Sequence, residues 1–440
     1  MSWAYFPDLL ATPVPRYTSY PTAAEFNDGV GRDELGLALA GVEADQPVSL
    51  YVHIPYCHEI CWYCGCNTGA ANKAQRLAGY LDALHEEIAL VAHRLGGRGK
   101  VGRIAFGGGS PNAISPEQFA ELLAKLRSSF GADEALLSIE LDPRSLSEPW
   151  FEAIRLAGIE RASMGVQTLE PRVQASIGRW QPRDLIERSV AELRRAGVSS
   201  MNFDLMYGLP YQGLAELEAT LAATIEMRPE RIALFGYAHV PHLIPRQKRI
   251  DGNALPDSKL RFAQAELGHR ILSHAGYVPI GFDHYALPDD PLAIASSEGR
   301  LHRNFQGFTD DGADVLVGLG ASSISQFPGL ITQNEKNAGR YKVRVSSGLL
   351  PANHGIVRTD EDRRRGRIIE QLLCGGEAAV ERLYQPGLME RLHPFLDRGL
   401  AMIECGRLRL PDCGRPYARV IASLFDQYRQ PAARRFSSAI

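Results

Sequence analysis

"RLAGIERASMGVQ" (residues 155–167) carries a helix end, a turn and a strand in one short run. The segment before it is amphipathic with helical spacing and stops at Ala157-Gly158. Glycine reaches the left-handed backbone that terminates a helix at no steric cost. After Ile159 the pattern changes to the alternation of a strand. The same device recurs in "RRAGVSS" (194–200) and "SHAGYVP" (273–279). Working outward, β-rich runs appear at 48–54, 101–107, 136–141, 161–167, 199–208, 231–240 and 277–285. Amphipathic segments such as "AGYLDALHEEIALVAHRL" (78–95) and "PEQFAELLAKLRSSF" (116–130) separate them. Strands that alternate with helices predict an α/β fold with a parallel sheet, as a partial or complete (β/α) barrel or an open doubly wound sheet.

The βα rhythm occupies residues 47–345. Residues 1–46 read as an irregular arm, a lid or a strap, and residues 346–440 as a smaller, mostly α-helical C-terminal domain. "DEDRRRGRIIEQLL" and "PYARVIASLFDQYRQPAARRF" have helical patterns there. The formal charge of −3 over 440 residues gives no basic excess of the kind that nucleic-acid binding needs. No apolar run of about 18 residues is present, so no membrane span is expected. The N-terminus lacks the pattern of a secretory signal, which points to the cytoplasm and reduced thiols. Cys374, Cys405 and Cys413 are expected as buried apolar residues.

The remaining four of the seven cysteines lie in "YVHIPYCHEICWYCGCNT" (51–68), with Cys57, Cys61, Cys64 and Cys66 spaced C-x3-C-x2-C-x-C. In a reducing compartment this cluster points to metal or redox chemistry rather than to a disulfide framework. Structural zinc sites mostly use two separated knuckles, and no second knuckle follows. His53 and His58 flank the loop and leave a Cys3His reading open. A compact loop with three thiolates also suits an iron–sulfur cubane with one iron left open, and Tyr56, Trp62 and Tyr63 would keep it dry. The C-terminal ends of the expected strands carry the cysteine loop, "GGGS" (107–110), Glu140, Gln167, Asp204 and "YAH" (237–239). That is the rim where parallel barrels place their chemistry. The three glycines allow a close backbone approach and N–H groups offered to an anionic ligand.

C-x3-C-x2-C after a first strand is similar to the signature of the radical S-adenosylmethionine (SAM) superfamily. The added C-x-C and the preceding "YVHIPYC" resemble, more narrowly, the oxygen-independent coproporphyrinogen III oxidases. The likeness spans the chain: "PRYTSYPTA", "FGGGSPN", "SIELDPR", "SMGVQ", "NFDLMYGLPYQ", "FGYAHVP", "GFDHYALPDD", "LHRNFQGFT", "GLGASSIS" and the tail "FDQYRQPAARRFSSAI". The resemblance implies a partial or complete parallel barrel of the radical SAM type. It implies a [4Fe–4S] cluster on Cys57, Cys61 and Cys64 with SAM at the open iron, and a second SAM site. An electron from the cluster would cleave SAM to a 5′-deoxyadenosyl radical. That radical would take hydrogen from the β-carbon of a propionate of coproporphyrinogen III. Loss of CO2 and an electron from two propionates gives the vinyl groups of protoporphyrinogen IX, in haem and porphyrin biosynthesis.

By the same resemblance Tyr51, Tyr63, Gly108, Glu140 and Ile324 line the first SAM. Gly109, Ser110, Gln167, Arg179, Asp204 and Ala238 line the second. Arg179 would fork a SAM carboxylate, and Cys66 belongs on the side of the second SAM or the substrate. Cations must meet the four propionates; Arg303 is the first candidate, then Arg16, Arg246 and Lys248. Partners implied are the tetrapyrrole, a flavodoxin- or ferredoxin-like electron donor, no nucleic acid and no membrane, with a monomeric enzyme. Ser110 and Phe308 stand where threonine and tyrosine are common in the family. A related methyltransferase or tailoring enzyme, and a haem-binding chaperone, are the alternatives. Such chaperones typically lack the last cysteine and the tail.

Overall fold

The computed structural model describes residues 3–380 and 386–429. Twelve strands form the main sheet: β1 (Pro47–Ile54), β2 (Lys100–Gly108), β3 (Leu136–Leu141), β4 (Arg161–Gln167), β5 (Ser200–Tyr207), β6 (Arg231–Gly236), β7 (Val278–Ile280), β8 (His284–Ala286), β9 (Val315–Leu319), β10 (Ile324–Phe327), β11 (Leu330–Asn334) and β12 (Ala352–Val357). Their order is β12-β11-β10-β9-β1-β2-β3-β4-β5-β6-β8-β7. The pairings from β9 through β1 to β6 are parallel. Those at both ends are antiparallel. Two edges stay unpaired with each other, so the barrel is partial.

Helices Ala74–Leu95, Pro116–Phe130, Glu148–Ala157, Arg183–Arg195 and Leu214–Met227 make the crossovers between β1 and β6. Gly158 closes its helix at φ 73°, as the opening motif requires. β1 is buried along nearly its whole length, as a central parallel strand must be. β3, β4 and β5 alternate instead. Ile139, Met164 and Phe203 enter the helix-side core, whereas Glu140, Ser163 and Asp204 face the concave side. That period of two aims the site residues. The floor of the concave side is sealed by Arg103 and Arg161, which both fork Asp310 at 2.7–3.1 Å.

Behind the rim, helix Ala74–Leu95 anchors the ends of β1 and β9. Tyr80 donates to the His53 carbonyl (2.7 Å) and accepts from the Ala321 N–H (3.0 Å). The buried Glu87 carboxylate accepts from Gly320 N–H (2.6 Å), Asn334 (2.7 Å) and Tyr341.

Several expectations are corrected. Residues 277–285 fall in two short antiparallel strands, β7 and β8, with Gly281, Phe282 and Asp283 between them, rather than one strand. The arm is not wholly irregular, because Arg32–Ala40 is a nine-residue helix that sends Leu35 and Leu39 into the main core. β12 lies past residue 345 yet belongs to the main sheet. Beyond it come helices Asp360–Gly375 and Pro386–Leu396, and a small sheet of Glu377–Ala379, Arg407–Arg409 and Met402–Glu404. The expected helix over 416–436 is mostly short 3-10 turns around Ala418–Ala422, and its part from residue 430 lies outside the described residues. Cys374 is buried as expected, whereas Cys405 is exposed at a hairpin turn and Cys413 is half-buried.

A second core joins the arm to the C-terminal region. Trp3, Leu10, Val14, Tyr17 and Tyr20 pack with Leu372, Phe395, Tyr417 and Phe425. Phe6 N–H donates to the Tyr417 hydroxyl (2.9 Å), and Tyr17 donates to Asp426 (3.0 Å). The arm is therefore a packed strap. Among the described residues no helix is long and apolar enough to cross a membrane.

Candidate active site at the cysteine rim

Past β1 the chain leaves the sheet at Pro55 and loops over the C-terminal rim. Cys57, Cys61, Cys64 and Cys66 line one cleft there with Tyr63, Gly108, Gly109, Ser110, Glu140, Gln167, Arg179 and Asp204. The glycine run docks directly on the start of the loop. Gly109 N–H donates to the Ile54 carbonyl (2.9 Å) and Ser110 N–H to the Tyr56 carbonyl (2.8 Å). A β-carbon on Gly109 would lie 2.5 Å from the Tyr56 carbonyl oxygen, and one on Gly108 (φ 113°) 2.5 Å from the His53 ring. Gly108 N–H donates to Glu140 (3.1 Å). The N–H groups of Gly108 and Gly109, expected for a ligand, are thus already used, and these glycines serve close packing of the rim.

Two guanidinium groups surround Cys61. Arg179 Nη1 lies 3.2 Å and Arg144 Nη2 3.4 Å from its Sγ. Asp142 ties the two arginines together, accepting from Arg144 Nη2 (2.6 Å) and Arg179 Nη2 (3.3 Å). Burial works against the Asp142 charge, but Arg179 and Arg144 outweigh it and hold its carboxyl below the usual range. Arg179 also donates to the Gly165 carbonyl (2.6 Å) and to Gln181 (2.9 Å). Four of its five N–H groups are committed, which leaves one Nη1 hydrogen for a ligand. The Cys66 N–H donates to Cys64 Sγ (3.4 Å).

Glu140 and Asp204 face each other's charge on the concave side. Burial pushes the Glu140 carboxyl up to about 7; the Gly108 N–H opposes this and Asp204 adds to it. Burial raises Asp204 as well, against bonds from Asn202 (2.9 Å) and Ser163 (3.1 Å). His53 is pulled down to about 4 by burial, and its ring nitrogens meet the Tyr51 hydroxyl (3.2 Å) and Ser322 (3.3 Å). A neutral imidazole so engaged backs Gly108 and is not part of the cleft lining. His58 is exposed.

The cleft leaves out Tyr51, Ala238 and Ile324. Tyr51 packs edge-on against Phe305, with centroids 4.6 Å apart. The Ala238 carbonyl accepts from Gln247 (3.1 Å), and Ile324 begins β10. Arg144 turns to Asp142 and Glu59. Arg303 lies elsewhere, over Phe308 (4.4 Å) and Phe282 (4.9 Å), with its Nε donating to the Arg16 carbonyl (3.3 Å). Arg246 donates to Thr68 at the cleft mouth (3.1 Å), and Lys248 is exposed. Asp142 and Arg144 were missed as site residues. Both stand in "SIELDPR", but only the folded rim brings Arg179 to them.

The donor set fits a cluster better than a single ion. Zinc–thiolate bonds of about 2.3 Å require sulfurs converging on one point. Among the described residues no three Cys, His, Asp or Glu side chains converge in that way. Cys57, Cys61 and Cys64 line one shared cleft, where a cluster would take one thiolate at each of three irons. Burial pushes the Cys57 thiol up to about 12, and Cys64, Asp142 and Cys61 add to it. A cationic core between the sulfurs removes that penalty.

The radical SAM superfamily model matches residues 51–223. The oxygen-independent coproporphyrinogen III oxidase of Bradyrhizobium diazoefficiens is 40% identical over 437 residues, covering 97% of each chain. That of Escherichia coli is 36% identical over 431 residues, covering 96% of this chain and 94% of its own. A solved structure of the Escherichia coli coproporphyrinogen III oxidase (HemN), described as a radical SAM enzyme, superposes with a TM-score of 0.90 at 34% identity. It covers 98% of this chain and 100% of that one. With the three-thiol cleft on the rim of a partial parallel barrel, these likenesses place the chain in the oxygen-independent coproporphyrinogen III oxidase family of the radical SAM superfamily.

Proposed function

We propose that this enzyme decarboxylates two propionates of coproporphyrinogen III to vinyl groups without oxygen, giving protoporphyrinogen IX for haem and porphyrin synthesis. The observation that carries the reading is a single rim cleft where Cys57, Cys61 and Cys64 stand with Arg179, Glu140 and Asp204. A [4Fe–4S] cluster and SAM, when bound, supply one-electron cleavage and a carbon radical that abstracts hydrogen. The chain's residues hold, orient and keep dry. Cys57, Cys61 and Cys64 are the cluster ligands, and Arg144 and Arg179 steady the negative charge at Cys61. Tyr63 and Gly108 border the first SAM with Glu140, whose carboxylate accepts from its donor groups; Tyr51 and Ile324 support that side from behind. Gly109, Ser110, Gln167, Asp204 and the free Nη1 hydrogen of Arg179 border a second SAM, with Ala238 near its outer end. The floor formed by Arg103, Arg161 and Asp310 closes the concave side to water from below. A flavodoxin- or ferredoxin-like carrier delivers the electron to a monomeric enzyme in the cytoplasm. Anaerobic incubation of the reduced, cluster-loaded protein with SAM and coproporphyrinogen III tests the reading. A divinyl product lighter by two CO2 and four hydrogens is expected, and 5′-deoxyadenosine formed over an intact porphyrinogen would refute it.

Two results are expected at individual residues. SAM carries a positive sulfonium, so it favours ionised Glu140, whereas in the free protein that carboxyl stays protonated up to about pH 7. Binding then releases a proton below that value. Affinity rises with pH, by at most about tenfold per unit, and levels off above about 7. Equilibrium binding from about pH 6 to about pH 8 checks this. Glu140→Gln flattens the profile, and an unchanged slope in that variant removes Glu140 from the role. Second, Cys66→Ala retains full iron while turnover falls by about tenfold or more. Loss of iron would instead return Cys66 to the ligand set.

A further inference from the structure

On the helix side of β5, β6 and β8, beneath the strap, lies a pocket lined by Arg16, Arg261, Arg415, Arg419, Trp3 and Asp283. It is distinct from the cleft. Tyr207 and Leu234 on its wall point away from the concave face that carries Asp204 and Arg231. The cations come from three places: Arg16 from the strap, Arg261 from helix Ser258–His274, and Arg415 and Arg419 from the turns at 412–422. The groups that hold Arg16 and Arg261 are neutral. Arg16 Nη2 donates to the Gly236 carbonyl (3.2 Å) and the guanidinium lies over Phe235. Arg261 Nη1 reaches the Gly208 carbonyl (3.5 Å), with its guanidinium 5.9 Å from the Tyr207 ring centre. Arg419 is held by the Val14 carbonyl (2.9 Å), and Arg415 by the Gly281 carbonyl and Asp412 (3.5 Å). Asp283 is the one carboxylate on the wall among the described residues, and His284 already bonds it at 2.7 Å. Arg16 and Arg261 thus share a wall whose one carboxylate is already engaged.

Buried cations without matching anions are costly, and arginine cannot escape by losing its proton. Burial and the charge of Arg16 pull Arg261 below its ordinary range, and the same causes bring Arg419 down to about 10. Trp3 supplies an independent sign: its indole Nε1–H is buried with no hydrogen-bond partner. A forked acceptor with two oxygens meets both needs. The pocket also adjoins the rim, since Arg16 lies over Phe235 and the Phe235 side chain borders the concave side.

We propose that this arginine pocket is a carboxylate-binding site and that its occupant is a propionate of the tetrapyrrole, one that is held rather than decarboxylated. The assignment rests on the substrate reading given above. It places Arg261, Arg16 and the Trp3 N–H as specificity determinants, the last two delivered by the strap.

The test is equilibrium binding of coproporphyrin III, the oxidised fluorescent tetracarboxylate, to the cluster-loaded protein. Arg261→Gln weakens binding about tenfold, Arg261→Lys less than about threefold, and the tetramethyl ester binds all forms alike. Trp3→Phe keeps the ring, loses the N–H and weakens binding about threefold, which carries the test if Arg261→Gln does not fold. Coproporphyrin III binding unchanged in folded Arg261→Gln and in Trp3→Phe overturns the proposal. If free propionate then raises the melting temperature of the wild type but not of Arg261→Gln, the pocket serves a small free carboxylate and the tetrapyrrole assignment falls. Wild-type protein that binds no coproporphyrin III overturns the substrate reading and this assignment together, whereas wild-type binding with unaffected variants overturns the pocket alone.

Discussion

Replacing Cys57, Cys61 or Cys64 by alanine, one at a time, abolishes cluster assembly. The wild type holds about four irons and four labile sulfides per chain after anaerobic reconstitution. Each variant loses one of three protein ligands. Substitutions outside the ligand shell already cost about 10–100-fold in metal affinity, so losing a ligand costs more than about 100-fold. Cys61 is the most sensitive of the three, because Arg144 and Arg179 both aim at its sulfur at 3.4 and 3.2 Å. Without the thiolate those guanidinium groups keep Asp142, Glu59 and carbonyl oxygens but lose the one anion at the cleft that both reach besides Asp142. Iron and sulfide analysis with the visible absorption of the cluster checks each variant. Full iron in any of them removes that residue from the ligand set, and one zinc per wild-type chain removes the cluster.

Asp142→Ala is the second large effect. The carboxylate is buried between Arg144 and Arg179, and both arginine side chains are under a tenth exposed. Its removal leaves two buried guanidinium groups with no shared anion. Breaking a buried pair in this way costs roughly 3–5 kcal/mol. Its lowered carboxyl sets the pH sign: the contribution is present above the ordinary carboxyl range and is lost as acid protonates the folded form. Denaturant unfolding at neutral pH checks the size, and Asp142→Asn, which keeps an acceptor, loses less. A change within about 0.5 kcal/mol in Asp142→Ala would show that the arginines do not depend on it.

Local signals in the chain carried most of the parallel frame. Gly158, Gly197 and Gly276 all have positive φ (73°, 95° and 89°) where Ala-Gly marks a helix end, because that backbone preference belongs to the residue itself. Glu140 and Asp204 were readable for a related reason: alternation along a strand decides which face a side chain meets. Pairing over long separations was not readable. β9 lies beside β1, with Val48 opposite Val315, and an apolar run carries no label for its neighbour. The expectation that the glycines at 107–109 offer N–H groups failed at Gly108 and Gly109 for the same reason, since their acceptors Glu140 and Ile54 lie on other segments. Asp142, Arg144 and Arg179 form a unit only once the segment after β4 brings Arg179 to the end of β3. The arginine pocket needs the strap, a helix and the C-terminal turns at once, and its Arg261, Arg415 and Arg419 carry no local sign of it.

The most direct test of the account follows a hydrogen atom. Coproporphyrinogen III with deuterium on the propionate β-carbons is incubated anaerobically with reduced, cluster-loaded enzyme and SAM, and the 5′-deoxyadenosine is weighed by mass spectrometry. Deuterium is expected in the deoxyadenosine together with loss of CO2 from the labelled propionates. Unlabelled deoxyadenosine beside an unchanged porphyrinogen would contradict it.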